Sequence, residues 1–249
     1  MNNPANYRPV TNLWIFSKVL EKLALERLRP HVLSSVNFNR FQSAYRPGYS
    51  TETALLKVVN DIEHSAGEGK CSVLLALDIS AAFDAVDHSV LCKRAQVEFG
   101  VNGTALDWLQ SFVTDRSQYI AVGDERSETA NLLSGEPQGS ILGPILLALY
   151  VSPIDDVICS HGIQYHQYAD DLMLYTALAT KRFNVLSSLT ECSEAVSEWF
   201  LQNALLLNPD KTEAVIFGTR QRLSTTDGTH DITVAGSSIH FSATYSCSA

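Results

Sequence analysis

The chain has 249 residues, of which 45% are hydrophobic and 18% charged, a composition that excludes a disordered or fibrous protein and allows one large domain or two subdomains. Its five cysteines are odd in number and lack Cys-x-x-Cys spacing, which argues against a disulfide framework and a zinc site and favours a reducing compartment. The net charge of −9, taken for the whole chain, argues against nucleic acid as a partner.

The N-terminal segment has the opposite charge. The first fifty residues carry seven Lys or Arg and two Glu, so their net charge is +5 and that of the remainder is −14. A basic lobe joined to an acidic body could hold a phosphate-rich ligand, although ordinary solvated helix faces would explain the same charges. Five apolar residues at helical spacing predict a first helix here: Phe16, Val19, Leu20, Leu23 and Leu28. A loop at Ser43–Ser50 leads to a second predicted helix, which begins at Thr51 and is ended by Gly67 and Gly69.

A carboxylate follows the first predicted strand. The continuous apolar run Cys71–Leu77 is typical of a strand covered on both faces, and Asp78 comes directly after it. A strand end holds a side chain rigidly, so Asp78 is a candidate metal ligand, with the N-cap of a following turn as the alternative. Phe83 is either a core residue or the wall of a pocket. Helices are predicted from Asp87 to Phe99 and from Thr104.

A glycine-rich loop precedes the most apolar part of the chain. Strands are predicted at 119–122 and 130–133, followed by the loop Ser134–Ser140 and a helix from Ile141 to about Ile158. The backbone N–H groups of the loop could bind phosphate or sugar oxygens, with a plain connecting loop as the alternative. The apolar run at 141–151 is too short to cross a bilayer, and the N-terminus lacks a signal-peptide pattern. We therefore expect an intracellular protein, cytoplasmic or nuclear, with no membrane partner.

Two adjacent carboxylates occupy the turn of a predicted hairpin. Residues 164–175 form two aromatic-rich runs around Ala169, Asp170 and Asp171. Adjacent carboxylates raise each other's pKa, so a pair fixed on a rigid turn suggests a divalent cation, Mg²⁺ or Mn²⁺ rather than zinc. A solvated turn is the alternative. An amphipathic helix around 185–199 and a strand at 212–218 follow, with Lys211 at the start of that strand.

Three motifs in order carry a family resemblance. Residues 77–84 (LDISAAFD), 137–144 (PQGSILGP) and 168–171 (YADD) resemble the successive palm motifs of a reverse transcriptase. Residues 6–9 (NYRP), 46–51 (RPGYST) and 208–212 (NPDKT) are similar to flanking motifs of the non-LTR (LINE-type) retrotransposon branch. The motifs together cover nearly the whole chain.

The resemblance implies an α+β, right-hand polymerase fold with fingers and palm subdomains and an antiparallel palm sheet. It implies palm segments at 71–99 and 134–235 and fingers-side elements at 1–70 and 100–133. Residues 236–249 would lead towards a primer grip and thumb that are largely missing. A fragment truncated at both ends is therefore expected.

The implied activity is RNA-directed DNA polymerisation, with an RNA template, a DNA primer and dNTP as partners. Asp78, Asp170 and Asp171 would hold two Mg²⁺ (or Mn²⁺) ions that activate the primer 3′-hydroxyl and steady the leaving pyrophosphate. Lys211 matches a lysine that protonates pyrophosphate. A non-catalytic remnant that binds nucleic acid or only folds is the alternative. A viral RNA-dependent RNA polymerase is a third possibility, which Phe83 disfavours.

The resemblance also implies a nucleotide-binding set. Arg8 matches a residue that grips the triphosphate, and Phe83 matches the aromatic residue that excludes a ribose 2′-hydroxyl. Pro137, Gln138 and Gly139 complete the set, and Gln138 matches a residue that contacts the incoming nucleotide. Glu136 stands where the family usually has an aliphatic residue, which would add a negative charge near the triphosphate.

Overall fold

The computed structural model describes residues 10–178, 183–218 and 231–245. The α+β class predicted from the sequence is observed, with helices and strands alternating along the chain. The helices are α1 (Ile15–Ser34), α2 (Thr51–Gly67), α3 (Ala82–Ala85), α4 (His88–Val97), α5 (Thr104–Val113), α6 (Gly143–Val151), α7 (Ile154–Ser160) and α8 (Phe183–Gln202). The first six strands are β1 (Cys71–Leu77), β2 (Ile79–Ser80), β3 (Arg116–Gln118), β4 (Ala121–Val122), β5 (Glu125–Arg126) and β6 (Ala130–Leu132). The remaining strands are β7 (Gln164–Tyr168), β8 (Asp171–Leu178), β9 (Leu206–Leu207), β10 (Glu213–Gly218), β11 (Asp231–Val234) and β12 (Ser237–Tyr245).

The chain forms two compact units. The first comprises the N-terminal residues through Phe38 together with Ala81–Val151. The second comprises Asn39–Ser80 together with the chain from Ser152 onward.

A six-stranded sheet organises the second unit, in the order β11-β12-β10-β1-β8-β7. Its neighbouring strands are antiparallel except for β10 and β12, which are parallel. Strand β1 is central and pairs with β10 on one side and β8 on the other. Because β1 is paired on both edges and its residues are buried or only partly exposed, its sequence is almost wholly apolar.

Helices α2 and α8 pack on the sheet. Val58 and Ile62 of α2 form a buried cluster with Tyr175, against which Leu74 and Phe217 pack. Helix α8 lies against β8 and β11, and its residues at three- and four-residue spacing are fully buried: Leu189, Cys192, Val196 and Phe200. The predicted amphipathic helix after the hairpin is therefore confirmed, and its apolar stripe faces protein.

The apolar face predicted for α1 is not a core face. Phe16 is 75% exposed and Leu23 is 50% exposed, whereas Glu21 is only 1% exposed. The Glu21 Oε2 atom accepts hydrogen bonds from the backbone N–H groups of Ile141 and Leu142, at 2.6 and 3.3 Å. Because this carboxylate caps the turn before α6, the helix turns a polar side chain inward and leaves apolar ones outside.

Two strand and helix predictions in the middle of the chain were wrong in detail. The strands predicted at 119–122 and 130–133 do not pair with each other as a single hairpin. Strand β3 pairs with β6, and β4 and β5 form a separate hairpin between them. Gly123, with φ of +62°, permits the two-residue turn that closes this inner hairpin.

The predicted helix from Ile141 to about Ile158 is two helices, α6 and α7, interrupted at Ser152 and Pro153. Proline has no N–H to donate, so it begins a helix more readily than it continues one. The stretch Gly143–Ser160 is long and apolar enough to cross a membrane by composition, yet 61% of it is buried, as expected for core helices.

Candidate functional site

The register of the sheet brings the predicted carboxylates to one place in the second unit. Leu77 of β1 is paired with Leu172 of β8, so the next position along β1, Asp78, lies opposite Asp171. Asp170 is in the turn of the β7–β8 hairpin, beside Asp171, as the sequence predicted. Residues 92 positions apart in sequence thus become neighbours at the edge of one sheet.

The three carboxylates lie close enough to interact electrostatically. Partial burial raises the pKa of Asp171, and the charges of Asp170 and Asp78 raise it further, while the Lys211 ammonium opposes them. The Lys211 Nζ atom lies 3.5 Å from Asp78 Oδ2. That oxygen is inaccessible and has no hydrogen-bond partner among the described residues. Among the described residues, the site therefore combines three carboxyl groups with the Lys211 ammonium, which only partly compensates them.

The donor set fits a hard divalent cation. It offers carboxylate oxygens only, which suit Mg²⁺ or Mn²⁺. A cation would satisfy the Asp78 oxygen that has no hydrogen-bond partner among the described residues and would relieve the mutual repulsion of the carboxylates. Within residues 10–178, 183–218 and 231–245, however, no three Asp, Glu, His or Cys side chains are already arranged to hold a metal ion. A cation would therefore have to draw these carboxylates together.

A residue that the sequence analysis missed holds the hairpin turn. Ala169 has φ of +57°, a left-handed conformation that costs energy for any residue with a Cβ. The fully buried side chain of Gln42 fixes it: Nε2 donates to Ala169 O at 3.0 Å, and Oε1 accepts from Ala169 N at 2.9 Å. The Gln167 Nε2 atom also donates to Ala169 O, at 3.2 Å. Gln42 thus holds the backbone that carries Asp170.

The predicted nucleotide-binding residues belong to the first unit, except that Arg8 lies outside the described residues. Phe83 is half-buried, and its backbone oxygen accepts a hydrogen bond from Glu136 N at 2.7 Å. Pro137 and Gln138 are partly exposed, and Gly139 is exposed with φ of +92°. The loop containing them is hydrogen-bonded to α3, so Phe83 and Gln138 lie on neighbouring segments of the first unit.

Gly135 permits the close packing of this loop against α3. Its φ is +82°, and a Cβ at this position would lie 2.6 Å from the backbone oxygen of Asp84. Its N–H donates to Val86 O at 2.7 Å, and its oxygen lies 2.7 Å from the Nε2 atom of His88. Only glycine permits so close an approach of two backbones.

Glu136 does not extend from the loop towards solvent. It is 3% exposed, and neither carboxylate oxygen has a hydrogen-bond partner among the described residues. Burial raises its pKa well above the ordinary value of 4.5, which favours the neutral acid. The added negative charge expected from the sequence is therefore suppressed by burial.

The burial of Glu136 predicts a pH dependence of stability. The folded state holds this proton more tightly than the unfolded state, so stability falls as pH rises from about 4.5 through the raised pKa. The loss amounts to about 1.4 kcal/mol for each unit of pKa elevation. We expect Glu136→Gln to remove this loss, as measured by urea unfolding at several pH values. Glu128→Gln, at an exposed glutamate, is the matched control, and an unchanged pH profile in Glu136→Gln would contradict the assignment.

Sequence comparisons identify a family and several relatives. Residues 2–239 match the family model described as reverse transcriptase (RNA-dependent DNA polymerase). The chain is 30% identical over 224 residues to the RNA-directed DNA polymerase from mobile element jockey of Drosophila melanogaster, an alignment that covers 86% of this chain and 24% of that protein. It is 24% identical over 188 residues to the Pol polyprotein of the type-1 retrotransposable element R2 of Popillia japonica, covering 70% and 25%. The chain thus spans about a quarter of the length of these relatives.

Solved structures share the fold. Telomerase from Candida albicans, in complex with a fragment of telomeric RNA, aligns with a TM-score of 0.58 and 14% identity over 90% of this chain and 36% of that one. Apo telomerase from Candida tropicalis, truncated from its C-terminal domain, aligns with a TM-score of 0.57 and 12% identity over 90% and 43%. The predicted right-hand polymerase fold is therefore confirmed.

Proposed function

The chain belongs to the reverse transcriptase family, and from this premise we propose that it carries the polymerase active site of a non-LTR retrotransposon protein. In this proposal it transfers nucleotidyl groups from dNTP to a DNA primer 3′-hydroxyl on an RNA template. The observation that supports it most is the sheet register that sets Asp78 opposite Asp171, beside Asp170.

We propose that the three carboxylates hold two divalent cations. The cations, when bound, would supply charge stabilisation for the attacking and leaving oxygens. The protein's own contribution is to fix the carboxylates on a buried strand and on a hairpin whose turn is held by Gln42. Lys211, 3.5 Å from Asp78, would hold a proton for the leaving pyrophosphate.

The charge distribution supports nucleic acid as the partner. The net charge of +5 in the first fifty residues would attract a phosphate backbone, which the whole-chain value of −9 conceals. Phe83, Gln138 and Arg8 are proposed to contact the incoming nucleotide. The assignment of 1–70 and 100–133 to fingers and of 71–99 and 134–235 to palm remains part of this proposal.

The direct test is incorporation of dTTP on poly(rA)/oligo(dT) by the purified chain with Mg²⁺ or Mn²⁺. We expect incorporation that requires the cation, the RNA template and the primer. If the chain incorporates no dTTP, even when it is extended to the full length of its relatives, the proposal is wrong and the chain is a non-catalytic remnant.

Phe83 is proposed to set sugar specificity, because a bulky ring beside the 2′ position rejects a ribose hydroxyl. We expect Phe83→Val to improve the kcat/KM for UTP relative to dTTP by roughly 10- to 100-fold. The measurement is competition between the two nucleotides on the same primer. Equal losses with both nucleotides would indicate a packing role for this half-buried ring instead.

A further inference from the structure

Two buried side-chain amides hold the backbone of Ala169, the residue before Asp170. Gln42 and Gln167 are both fully buried. Ala169 O accepts hydrogen bonds from the Nε2 atoms of Gln42 and Gln167, at 3.0 and 3.2 Å. Ala169 N donates to Gln42 Oε1 at 2.9 Å. Side chains therefore satisfy both backbone polar groups of this turn residue.

A second set of contacts fixes the orientation of the two amides. Gln42 Oε1 also accepts from the N–H of Ala44 at 3.0 Å, so a reversed amide would set its NH₂ group against two N–H donors. Gln167 Oε1 accepts from Asn39 Nδ2 at 3.2 Å, and Asn39 Oδ1 accepts from the Tyr165 hydroxyl at 2.9 Å. The network thus joins β7 to the chain before α2, within the unit that carries the three carboxylates.

The conformation of Ala169 needs this support. Its φ of +57° is disfavoured for a residue with a Cβ, and a two-residue hairpin turn with a positive φ usually has glycine at that position. With alanine there, the surrounding contacts must maintain the conformation. We infer that Gln42 is a positioning residue, which acts through Ala169 to preset the carboxylate pair of Asp170 and Asp171 for a divalent cation. Gln42 then determines cation affinity as well as stability. This inference rests on the proposed function.

The first test is the affinity of the chain for Mn²⁺ alone, measured without substrates from the electron paramagnetic resonance signal of free Mn²⁺. Gln42→Met keeps the length of the side chain and removes its hydrogen bonds to Ala169 and Ala44. Because the turn is then only fractionally populated in the competent conformation, we expect the dissociation constant to rise roughly five- to twentyfold. An unchanged dissociation constant would overturn the inference.

Asn203→Leu is the matched control. It removes another buried amide in the same unit, whose Nδ2 atom donates to Trp199 O at 2.7 Å just after α8. This variant should lower stability while leaving the affinity for Mn²⁺ unchanged. If it weakened Mn²⁺ binding as much as Gln42→Met does, general destabilisation would explain both results and the positioning role would be wrong.

A rescue experiment isolates the path through Ala169. Glycine adopts a positive φ without the Cβ penalty, so Ala169→Gly should recover most of the Mn²⁺ affinity that Gln42→Met loses. The same substitution in the presence of Gln42 should improve Mn²⁺ affinity by less than about twofold, because the turn is already held there. An equal gain in both backgrounds would show that the two residues act independently and would refute the inference.

Hydrogen exchange of the Ala169 amide tests the hold without any cation. This N–H donates to a fully buried oxygen, and we expect its exchange to be at least about tenfold faster in Gln42→Met than in Asn203→Leu. If Gln42→Met does not fold, Gln167→Met removes one of the two donors to Ala169 O and should raise the Mn²⁺ dissociation constant roughly two- to fivefold. Unchanged exchange or affinity would refute the positioning role, whereas absence of dTTP incorporation by the wild-type chain would refute the proposed function.

Discussion

Replacing Asp170 by asparagine is expected to abolish dTTP incorporation on poly(rA)/oligo(dT), by about a thousandfold or more. The substitution keeps the size of the side chain but removes one of the negative charges that would hold the cations, and a metal ion contributes several kcal/mol to such a reaction. Asp170 lies in a two-residue turn held through Ala169, so the fold should survive the change. The measurement is single-nucleotide extension under saturating dTTP, with Mg²⁺ and with Mn²⁺.

A matched control separates loss of the site from loss of the fold. Asp156→Asn makes the same chemical change at an exposed aspartate of α7 in the same unit and should leave extension unchanged. Thermal unfolding of both variants should be close to that of the wild type. If Asp170→Asn retained more than about a tenth of the wild-type rate, the carboxylate would not be a required ligand.

Replacing Gly135 by alanine is expected to have the largest effect on folding, with a loss of roughly 2–4 kcal/mol in the free energy of unfolding. The left-handed φ of +82° already disfavours a Cβ, and that atom would also lie 2.6 Å from a backbone oxygen. The backbone of α3 would have to move away from the loop. Urea unfolding measures the loss directly.

Gly123→Ala isolates the first of these causes, the strain of a left-handed φ. Gly123 has φ of +62°, and a Cβ there would meet nothing within 4 Å. This control therefore introduces strain without a clash and should cost only about 1 kcal/mol. Equal losses in the two variants would show that the close approach at Gly135 is relieved without cost. A further consequence of the close approach is that the surviving folded fraction of Gly135→Ala should bind dTTP more weakly, since the loop carries Gln138.

The strand and hairpin that carry the carboxylates could be predicted because their signals are local. Strand β1 is a continuous apolar run, and the β7–β8 hairpin has aromatic runs around a short turn. The meeting of Asp78 with Asp170 and Asp171 came only from the family resemblance, since spacing alone cannot specify which strands pair. In the structure, the pairing of β1 with β8 sets Asp78 opposite Asp171.

The polar contacts that support the site could not be predicted. Gln42 holds Ala169 from 127 positions away, and Glu21 caps a turn 120 positions away. A buried polar side chain breaks the apolar periodicity from which helix faces are inferred, so α1 was oriented wrongly. Glu136 gave a signal only as an unusual residue within a motif, and its burial depends on tertiary packing.

The location of bound manganese would test the central claim most directly. Crystals of the chain with primer, RNA template, a non-hydrolysable dTTP analogue and Mn²⁺ should give anomalous peaks about 2.1 Å from carboxylate oxygens of Asp78 and Asp170. Manganese bound elsewhere, or an Asp78 carboxylate too far from Asp170 for one ion to bridge them, would contradict a polymerase site built on this sheet.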